Sequence, residues 1–500
     1  MKSAIVLSLL SGILLGISFN YPSVWFMSLF ALIPFIHFLY TTTFSLKKIF
    51  FAGWLFGFTF LGIVLVWLWH TLPLDLPGTE DSLFGVALVL FSWGSSVFTI
   101  SFFVGLFAVA FYKLKRGTIF DVLLIAFLWI FFEYFRMWGF ALLTISSESL
   151  FGPHFSVGFL GYILASNHNI LQFALLGGVY TLGFIVVLIN ASVYHLFFVS
   201  KLQPQRKLIT FFVAFVLFVV FATLPFNNFF TKDDIKAQKT IKIAVLNTYF
   251  SSIAEFPKEG KEERFNERKN LIELIGRSNE DSDVIILPEN SHFIADLISR
   301  GELEVFFHDV FNGKEKLIID SESVHDNDNN KTYSQLYYYN IKNKKLEIYK
   351  KIFLAPQGEY IPNLMRFIPT ILGRKDFIEK LDTILKYSKG DNLVSGNFND
   401  IEIGALFCSE ILSPSLYKEL TNVHSADFLV NLSSQLWFHG SRTLYRQIIN
   451  VAKVRAVENN RYFVQASNFV PSFIIDNTGR IIAESEWNKN SVLYADIIIP

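Results

Sequence analysis

The stretch Ile401-Glu-Ile-Gly-Ala-Leu-Phe-Cys408-Ser-Glu410 begins with an apolar, strand-like run. That run leads directly to Cys408, the only cysteine of the 500-residue sequence. A thiol at the end of a strand is a candidate nucleophile. A lone cysteine is also common as a small buried apolar residue, so Cys408 alone does not decide between the two interpretations.

Two other segments favour the nucleophile. Asp283-Val-Ile-Ile-Leu-Pro-Glu289 is an apolar run that ends on a carboxylate, and Tyr349-Lys-Lys351 brings an amine after another strand-like segment. The sequence therefore predicts that a carboxylate, an amine and the thiol of Cys408 meet near strand ends.

These three groups suit acyl transfer. A thiol is mostly protonated at neutral pH, so it needs a base or a nearby positive charge. Glu289 can take the proton, and Lys351, with Lys350 as the competing lysine, can stabilise negative charge on a substrate carbonyl. A backbone N–H near residue 409 can contribute to the same stabilisation.

The composition divides the chain into two halves. Hydrophobic residues make up 52% of the sequence, which is too apolar for an ordinary soluble protein. Residues 1–225 hold 10 basic and 6 acidic side chains, against 33 and 37 in residues 226–500. Neither half has a basic cluster that would bind nucleic acid. We expect a membrane domain over 1–225, a linker over 226–240 and a soluble domain over 241–500.

The first half contains apolar stretches long enough to cross a bilayer. We predict seven helices, the first of them a retained span rather than a signal peptide, near 3–20, 23–40, 49–70, 83–112, 118–140, 170–199 and 208–225.

Basic residues alternate between the predicted loops. Nine cations lie at the start and in every second loop: Lys2, Lys47, Lys48, Lys113, Lys115, Arg116, Lys201, Arg206 and Lys207. The opposite loops hold none. The positive-inside rule places the N-terminus in the cytoplasm, and seven crossings then place residues 226–500 outside it.

One pair of charges lies inside an apolar stretch. Glu133 and Arg136 are three residues apart and share a helix face. Ionisable groups at membrane depth pair with each other or face a cavity. A pair that fixes helix packing and a role near a lipid headgroup both remain open.

The second half alternates short apolar runs with helical segments. Helices are predicted over about 260–278 and 442–460, and the stretch from His325 to Asn330 is interpreted as a hairpin turn. Candidate strands are 241–246, 284–287, 317–319, 336–341, 401–407, 428–432, 462–465, 473–475 and 492–499. This alternation predicts an α/β layer architecture, in which functional sites lie where strands end.

The segments that carry these groups resemble a known family. Leu287-Pro288-Glu289, the run from Tyr349 to Pro362 and Cys408-Ser-Glu410 look like the Glu-Lys-Cys site of the nitrilase superfamily. A nitrilase domain behind a multi-span membrane domain is similar to the apolipoprotein N-acyltransferase family. The resemblance implies an α-β-β-α sandwich in the soluble half, next to a membrane α-helical bundle.

The resemblance also implies roles and partners. Cys408 would be the nucleophile, Glu289 the base and Lys351 the group that stabilises the oxyanion, with Glu359 and Glu410 in support. The family's reaction moves an acyl chain from a membrane phospholipid to Cys408 as a thioester. It then passes the chain to the α-amino group of the N-terminal diacylglyceryl-cysteine of apolipoproteins. No metal or cofactor is implied, and a monomer in the bacterial inner membrane is expected, with its catalytic domain extracytoplasmic.

The sequence departs from the family pattern at several positions. Ser409 replaces Tyr, Asn247-Thr-Tyr249 replaces Gln-Gly-Asn, and Ser434-Gln-Leu-Trp437 replaces Asn-Asp-Ala-Trp. By the same resemblance, the family has a further membrane helix after the last strand, whereas this sequence ends there, at Pro500. Two other functions stay open: a membrane-tethered carbon–nitrogen hydrolase, and an inactive membrane scaffold in which the three groups do not meet.

Overall fold

A computed structural model describes residues 2–74, 79, 82–223, 239–250, 260–278, 281–371 and 373–499. In these residues the first half is helical. Five helices are long and apolar enough to cross a membrane, namely Lys2–Asn20, Pro22–Thr41, Leu46–Thr71, Leu83–Leu114 and Ala174–Val199. The other two predicted stretches correspond to Phe120–Leu143 and Pro204–Thr223, which are helical as well.

The second half contains two six-stranded sheets among the described residues. The strands are β1 Thr240–Asn247, β2 Val284–Ile286, β3 Leu317–Asp326, β4 Lys331–Asn340, β5 Leu346–Lys350, β6 Gly396–Phe398, β7 Ile401–Phe407, β8 Phe428–Ser434, β9 Tyr462–Asn468, β10 Phe473–Ile475, β11 Ile481–Glu484 and β12 Ser491–Ile498. The first sheet has the order β12-β1-β2-β3-β4-β5 and the second β11-β10-β9-β8-β7-β6. The central neighbours β1-β2-β3 and β7-β8-β9 are parallel.

Successive side chains of a strand point to opposite faces of the sheet, so neighbouring residues pack into different layers of the domain. Ile243 and Val245 of β1 share a core with the second sheet, whereas Ala244 and Leu246 pack under outer helices. Those helices are Lys261–Arg277, Phe293–Arg300 and Leu303–Phe311. Pro414–Asn422 and Arg442–Asn459 cover the second sheet. The predicted α-β-β-α sandwich beside a helical bundle is confirmed.

All predicted elements of the second half are observed, and most bounds agree within three residues. The exceptions are β3, which continues seven residues past its predicted end, and β4, which begins five residues before its predicted start. The hairpin turn is confirmed as well, because β3 ends at Asp326 and β4 begins at Lys331. Three strands were not in the prediction, β5, β6 and β11, of which two are only three and four residues long. The predicted linker falls largely on residues 226–238, which lie outside the described residues.

The helix Arg442–Asn459 joins the two halves. It packs against the membrane helix Ala174–Tyr194. Its Gln447 donates from Nε2 to Asn20 Oδ1 at 2.8 Å and to the Val64 carbonyl at 2.9 Å. These buried bonds fix the second half of the chain against the first and third long membrane helices.

Candidate active site

Cys408 lies directly after β7, at the start of a short turn of helix that ends at Leu412. Its backbone φ is +25°, a region that side-chain-bearing residues rarely occupy, so the turn holds the residue in a strained conformation. The Ser433 hydroxyl, near the end of the neighbouring strand β8, donates to Sγ at 3.7 Å. The thiol therefore lies at the ends of two parallel strands.

Glu289 follows β2 after a Leu-Pro step, and its side chain is 10% exposed. The backbone N–H of Ser434 donates to Oε2 at 3.0 Å. Because Ser433 and Ser434 are consecutive residues, one strand end positions both the thiol and the carboxylate. The other carboxylate oxygen, Oε1, lies 3.5 Å from the Lys351 ammonium.

Lys351 comes directly after β5, and its side chain is 1% exposed. Its Nζ lies 3.0 Å from the Glu359 carboxylate and 5.5 Å from the centre of the Phe407 ring. The competing lysine, Lys350, is directed elsewhere, with Nζ 4.0 Å from the centre of the Tyr333 ring. Strand alternation separates the two lysines, and only Lys351 reaches the cluster.

Glu410 is fully buried and binds the backbone on both sides of the site. It accepts hydrogen bonds from the Tyr349 hydroxyl at 2.6 Å and from the N–H groups of Ile352 and Phe353, each at 3.0 Å. Its second oxygen accepts from the Phe407 N–H at 2.8 Å. One carboxylate thus ties the segment after Lys351 to the residue that precedes the thiol.

Glu359 holds the ammonium from the other side. Its Oε1 accepts from Lys351 and, at 3.2 Å, from the Ser334 hydroxyl, while Oε2 accepts from the Ala355 N–H at 2.6 Å. The lysine is therefore fixed between two carboxylates, Glu359 and Glu289.

The electrostatics match an acid–base pair. Burial raises the pKa of Glu289 to about 7, although Lys351 opposes that rise. Burial, and then the Glu289 carboxylate, raise the pKa of the Cys408 thiol to about 12. Burial acts to lower the pKa of Lys351, but Glu359 and Glu289 outweigh it and raise the pKa, so the amine stays charged. The resting site holds a thiol, an ammonium and a base poised near neutral pH.

A single cavity of about 400 Å³ connects this cluster with the membrane helices. Glu289, Lys351 and Cys408 line it together with side chains of the first, third and fourth long membrane helices, among them Phe19, Leu65, Leu68, Leu88, Val89 and Ile100. Among the described residues, no three His, Cys, Asp or Glu side chains are grouped as metal ligands would be. The cavity offers an apolar volume that reaches the Cys408 thiol.

Comparison with known proteins gives two successive matches. Residues 11–192 match the family model described as the apolipoprotein N-acyltransferase N-terminal domain, and residues 252–499 match the carbon-nitrogen hydrolase model. A protein of Rickettsia prowazekii named apolipoprotein N-acyltransferase is 25% identical over 468 residues, which is 90% of this chain and 82% of that protein.

The chain combines an apolipoprotein N-acyltransferase N-terminal domain with a carbon-nitrogen hydrolase domain. A protein of the same name from Pseudomonas putida is 23% identical over 91% of this chain and 83% of its own length. The crystal structure of Saccharomyces cerevisiae Nit3, a member of branch 10 of the nitrilase superfamily, matches 54% of this chain and 93% of the Nit3 chain. The two chains are 17% identical, and the TM-score is 0.38.

Several residues of this site were not predicted from the sequence. Ser433 and Ser434 contact the thiol and the carboxylate, and their position after the apolar run of β8 was a usable signal. Tyr349 donates to Glu410, a role that its position beside the lysine does not predict. Gln435, which also lines the cavity, stood out only as a departure from the family pattern.

Proposed function

We propose that this protein transfers an acyl chain from a membrane phospholipid, through a thioester on Cys408, to the α-amino group of the N-terminal diacylglyceryl-cysteine of apolipoproteins. One observation carries the proposal. The same cavity is lined by apolar side chains of membrane helices and by Glu289, Lys351 and Cys408. An acyl chain can lie in the apolar part while its ester carbonyl reaches the thiol.

In the first half of the reaction, Glu289 takes the thiol proton as Cys408 Sγ bonds to the ester carbonyl carbon. Burial is the main cause of the raised thiol pKa and the Glu289 charge is the second. Moving this proton neutralises Glu289, which removes the second cause. The Lys351 ammonium and a backbone N–H near residue 409 stabilise the negative carbonyl oxygen. The bond from carbonyl carbon to glycerol oxygen then breaks, Glu289 returns the proton to that oxygen, and a lysophospholipid leaves.

In the second half, the acceptor amine attacks the thioester carbon. Glu289 takes a proton from the amine nitrogen, and the carbon–sulfur bond breaks to leave an amide. The proton then returns to the Cys408 thiolate. The same base and the same ammonium therefore serve both transfers, while Glu359 and Glu410 keep them in place.

Residues 1–225 would form the membrane domain and residues 241–500 the catalytic domain, on the outer side of the inner membrane. Either five or seven crossings would put the catalytic half on the side opposite Lys2, because both numbers are odd, and this supports the proposed orientation. All three reactive groups come from one chain, which supports a monomer as the functional unit. The apolar walls of the cavity favour a lipid donor over the small amide that a tethered hydrolase would cleave.

A transfer assay tests the proposal. The full chain, in phosphatidylethanolamine vesicles, receives a synthetic peptide whose N-terminal cysteine carries an S-diacylglyceryl group. We expect the peptide to gain one acyl mass on its α-amino group, and the Cys408→Ala variant to give none. Release of free fatty acid without peptide acylation would indicate the hydrolase instead. Neither product from a correctly folded protein would support the inactive scaffold.

A further inference from the structure

Gln435 extends the strand end that positions the reactive groups. It follows Ser434, and its backbone N–H donates to the Asn468 carbonyl at 3.1 Å. Only 3% of Gln435 is exposed, and the residue lines the cavity with Glu289 and Cys408.

The side-chain amide of Gln435 lacks partners. Its Oε1 is buried without a hydrogen bond, and no described residue bonds its Nε2. Gln447 lines the same cavity but differs, because its Nε2 donates to Asn20 and Val64. Buried amides are normally satisfied, so an unpaired one in a cavity wall points to a bound molecule that supplies the partner.

The two substrates of the proposed reaction differ in what they could supply. Near its reacting carbon, a phospholipid ester offers oxygen acceptors and no N–H donor. An N-terminal residue offers N–H donors on its α-amine and a carbonyl acceptor on its first peptide bond. A primary amide, with one acceptor oxygen and two N–H donors, matches that pair of groups.

We propose that Gln435 binds the α-amino end of the lipoprotein acceptor in the second half of the reaction; this inference rests on the function proposed above. Ser434 holds the base Glu289 by its backbone, so an amine bound by the next residue lies beside the group that must take its proton. Trp67 also lines the cavity with an unpaired Nε1, but an indole only donates and cannot receive an amine N–H.

The test measures both halves of the reaction on the full chain. Thioester formation is followed with phosphatidylethanolamine vesicles alone, and transfer by adding the S-diacylglyceryl-cysteinyl peptide. Gln435→Met keeps the length and removes both hydrogen-bonding groups. We expect transfer to fall about tenfold or more, with a raised KM for the peptide, while thioester formation changes less than twofold. Gln435→Glu keeps an acceptor for the amine and should recover part of the loss.

Gln447→Met is the matched control. It removes satisfied hydrogen bonds between the two halves, so we expect a lower thermal midpoint and equal losses in both reactions. Parental transfer in Gln435→Met, or an equal fall in its two reactions, would overturn the inference while leaving the acyltransferase function intact. A parent chain that forms no thioester would overturn both.

Discussion

The Glu133–Arg136 pair lies in the membrane half and the Glu289–Lys351 pair in the catalytic half, and both are buried with N···O distances near 3.5 Å. Their other partners differ. Glu133 accepts from the Leu160 N–H at 2.9 Å, and Arg136 donates to the carbonyl of Gly158 at 3.0 Å. The Glu133–Arg136 pair therefore binds the backbone of Gly158 and Leu160.

The two pairs are alike at the carboxylate, which accepts a backbone N–H in each. They differ at the cation, because Arg136 donates to backbone carbonyls whereas Lys351 donates to a second carboxylate. Ser434 fixes Glu289 through its N–H, and Glu359 fixes Lys351. The thiol then shares their electrostatic environment. Burial and pairing thus occur in both regions, and the reactive neighbour distinguishes the candidate active site. The backbone contacts of Glu133 and Arg136 fit the packing interpretation, and Arg136 also lines the cavity, as a role near a lipid headgroup would require.

The largest effect should come from breaking the catalytic pair. In the proposed mechanism, Lys351→Met removes the ammonium that stabilises the oxyanion, and Glu289→Gln removes the base. We expect each to lower thioester formation by about a hundredfold or more. Rates of acylation of the folded variants in phospholipid vesicles check this. Retention of a tenth of the parent rate in either variant would show that its residue is not required.

Glu410→Gln tests the carboxylate that ties the two sides of the site together. The amide keeps the size but presents an NH2 group to N–H donors, so the segments around Lys351 and Cys408 should shift. We expect about a tenfold lower rate of thioester formation, since one charged hydrogen-bond acceptor is lost. The apparent KM for phospholipid should stay the same, because Glu410 lies behind the site. A raised KM with an unchanged rate would contradict this role.

The pH dependence should follow Glu289, whose pKa burial raises to about 7. Only its ionised form can take the thiol proton, so activity is present above pH 7 and is lost as the pH falls through it. We expect the acylation rate to rise about tenfold between pH 6 and pH 8. Single-turnover rates across that range measure the midpoint. A profile that is flat from pH 6 to pH 8 would exclude this carboxylate as the base.

Glu133→Gln addresses the membrane pair. It leaves the Arg136 charge buried without its partner, which should cost about 3 kcal/mol of stability. We expect a lower thermal unfolding midpoint in detergent, together with a near-parental acylation rate for protein that is folded at the assay temperature. A large loss of acylation rate at an unchanged unfolding midpoint would support a role near a lipid headgroup instead.

Lys350→Met should have the smallest effect. Lys350 differs from Lys351 by one position, yet its ammonium lies over the Tyr333 ring, outside the cluster. We expect the acylation rate to stay within about twofold of the parent, since a single cation–π contact outside the cluster contributes little. If Lys350→Met instead reproduced the loss of Lys351→Met, the assignment of the two lysines would be wrong.

Much of this fold and site could be predicted from the sequence because apolar runs ending in reactive residues are local signals. The strands that precede Glu289 and Cys408 are examples, and the resemblance pointed to Glu410. The four bonds of Glu410 could not be predicted, since its partners lie up to 61 residues away in sequence. The unpaired amide of Gln435 and the cavity shared with the membrane helices depend on how two halves dock, which no single segment encodes.

The central claim is that Cys408 becomes acylated by phospholipid alone. Intact-protein mass spectrometry of the full chain, after incubation with phosphatidylethanolamine vesicles and no acceptor, measures it directly. We predict one added fatty acyl mass that hydroxylamine removes and that is absent from Cys408→Ser, whose hydroxyl is too weak an acid for this base. An unmodified parent chain, or an acyl mass that persists in Cys408→Ser, would contradict the account.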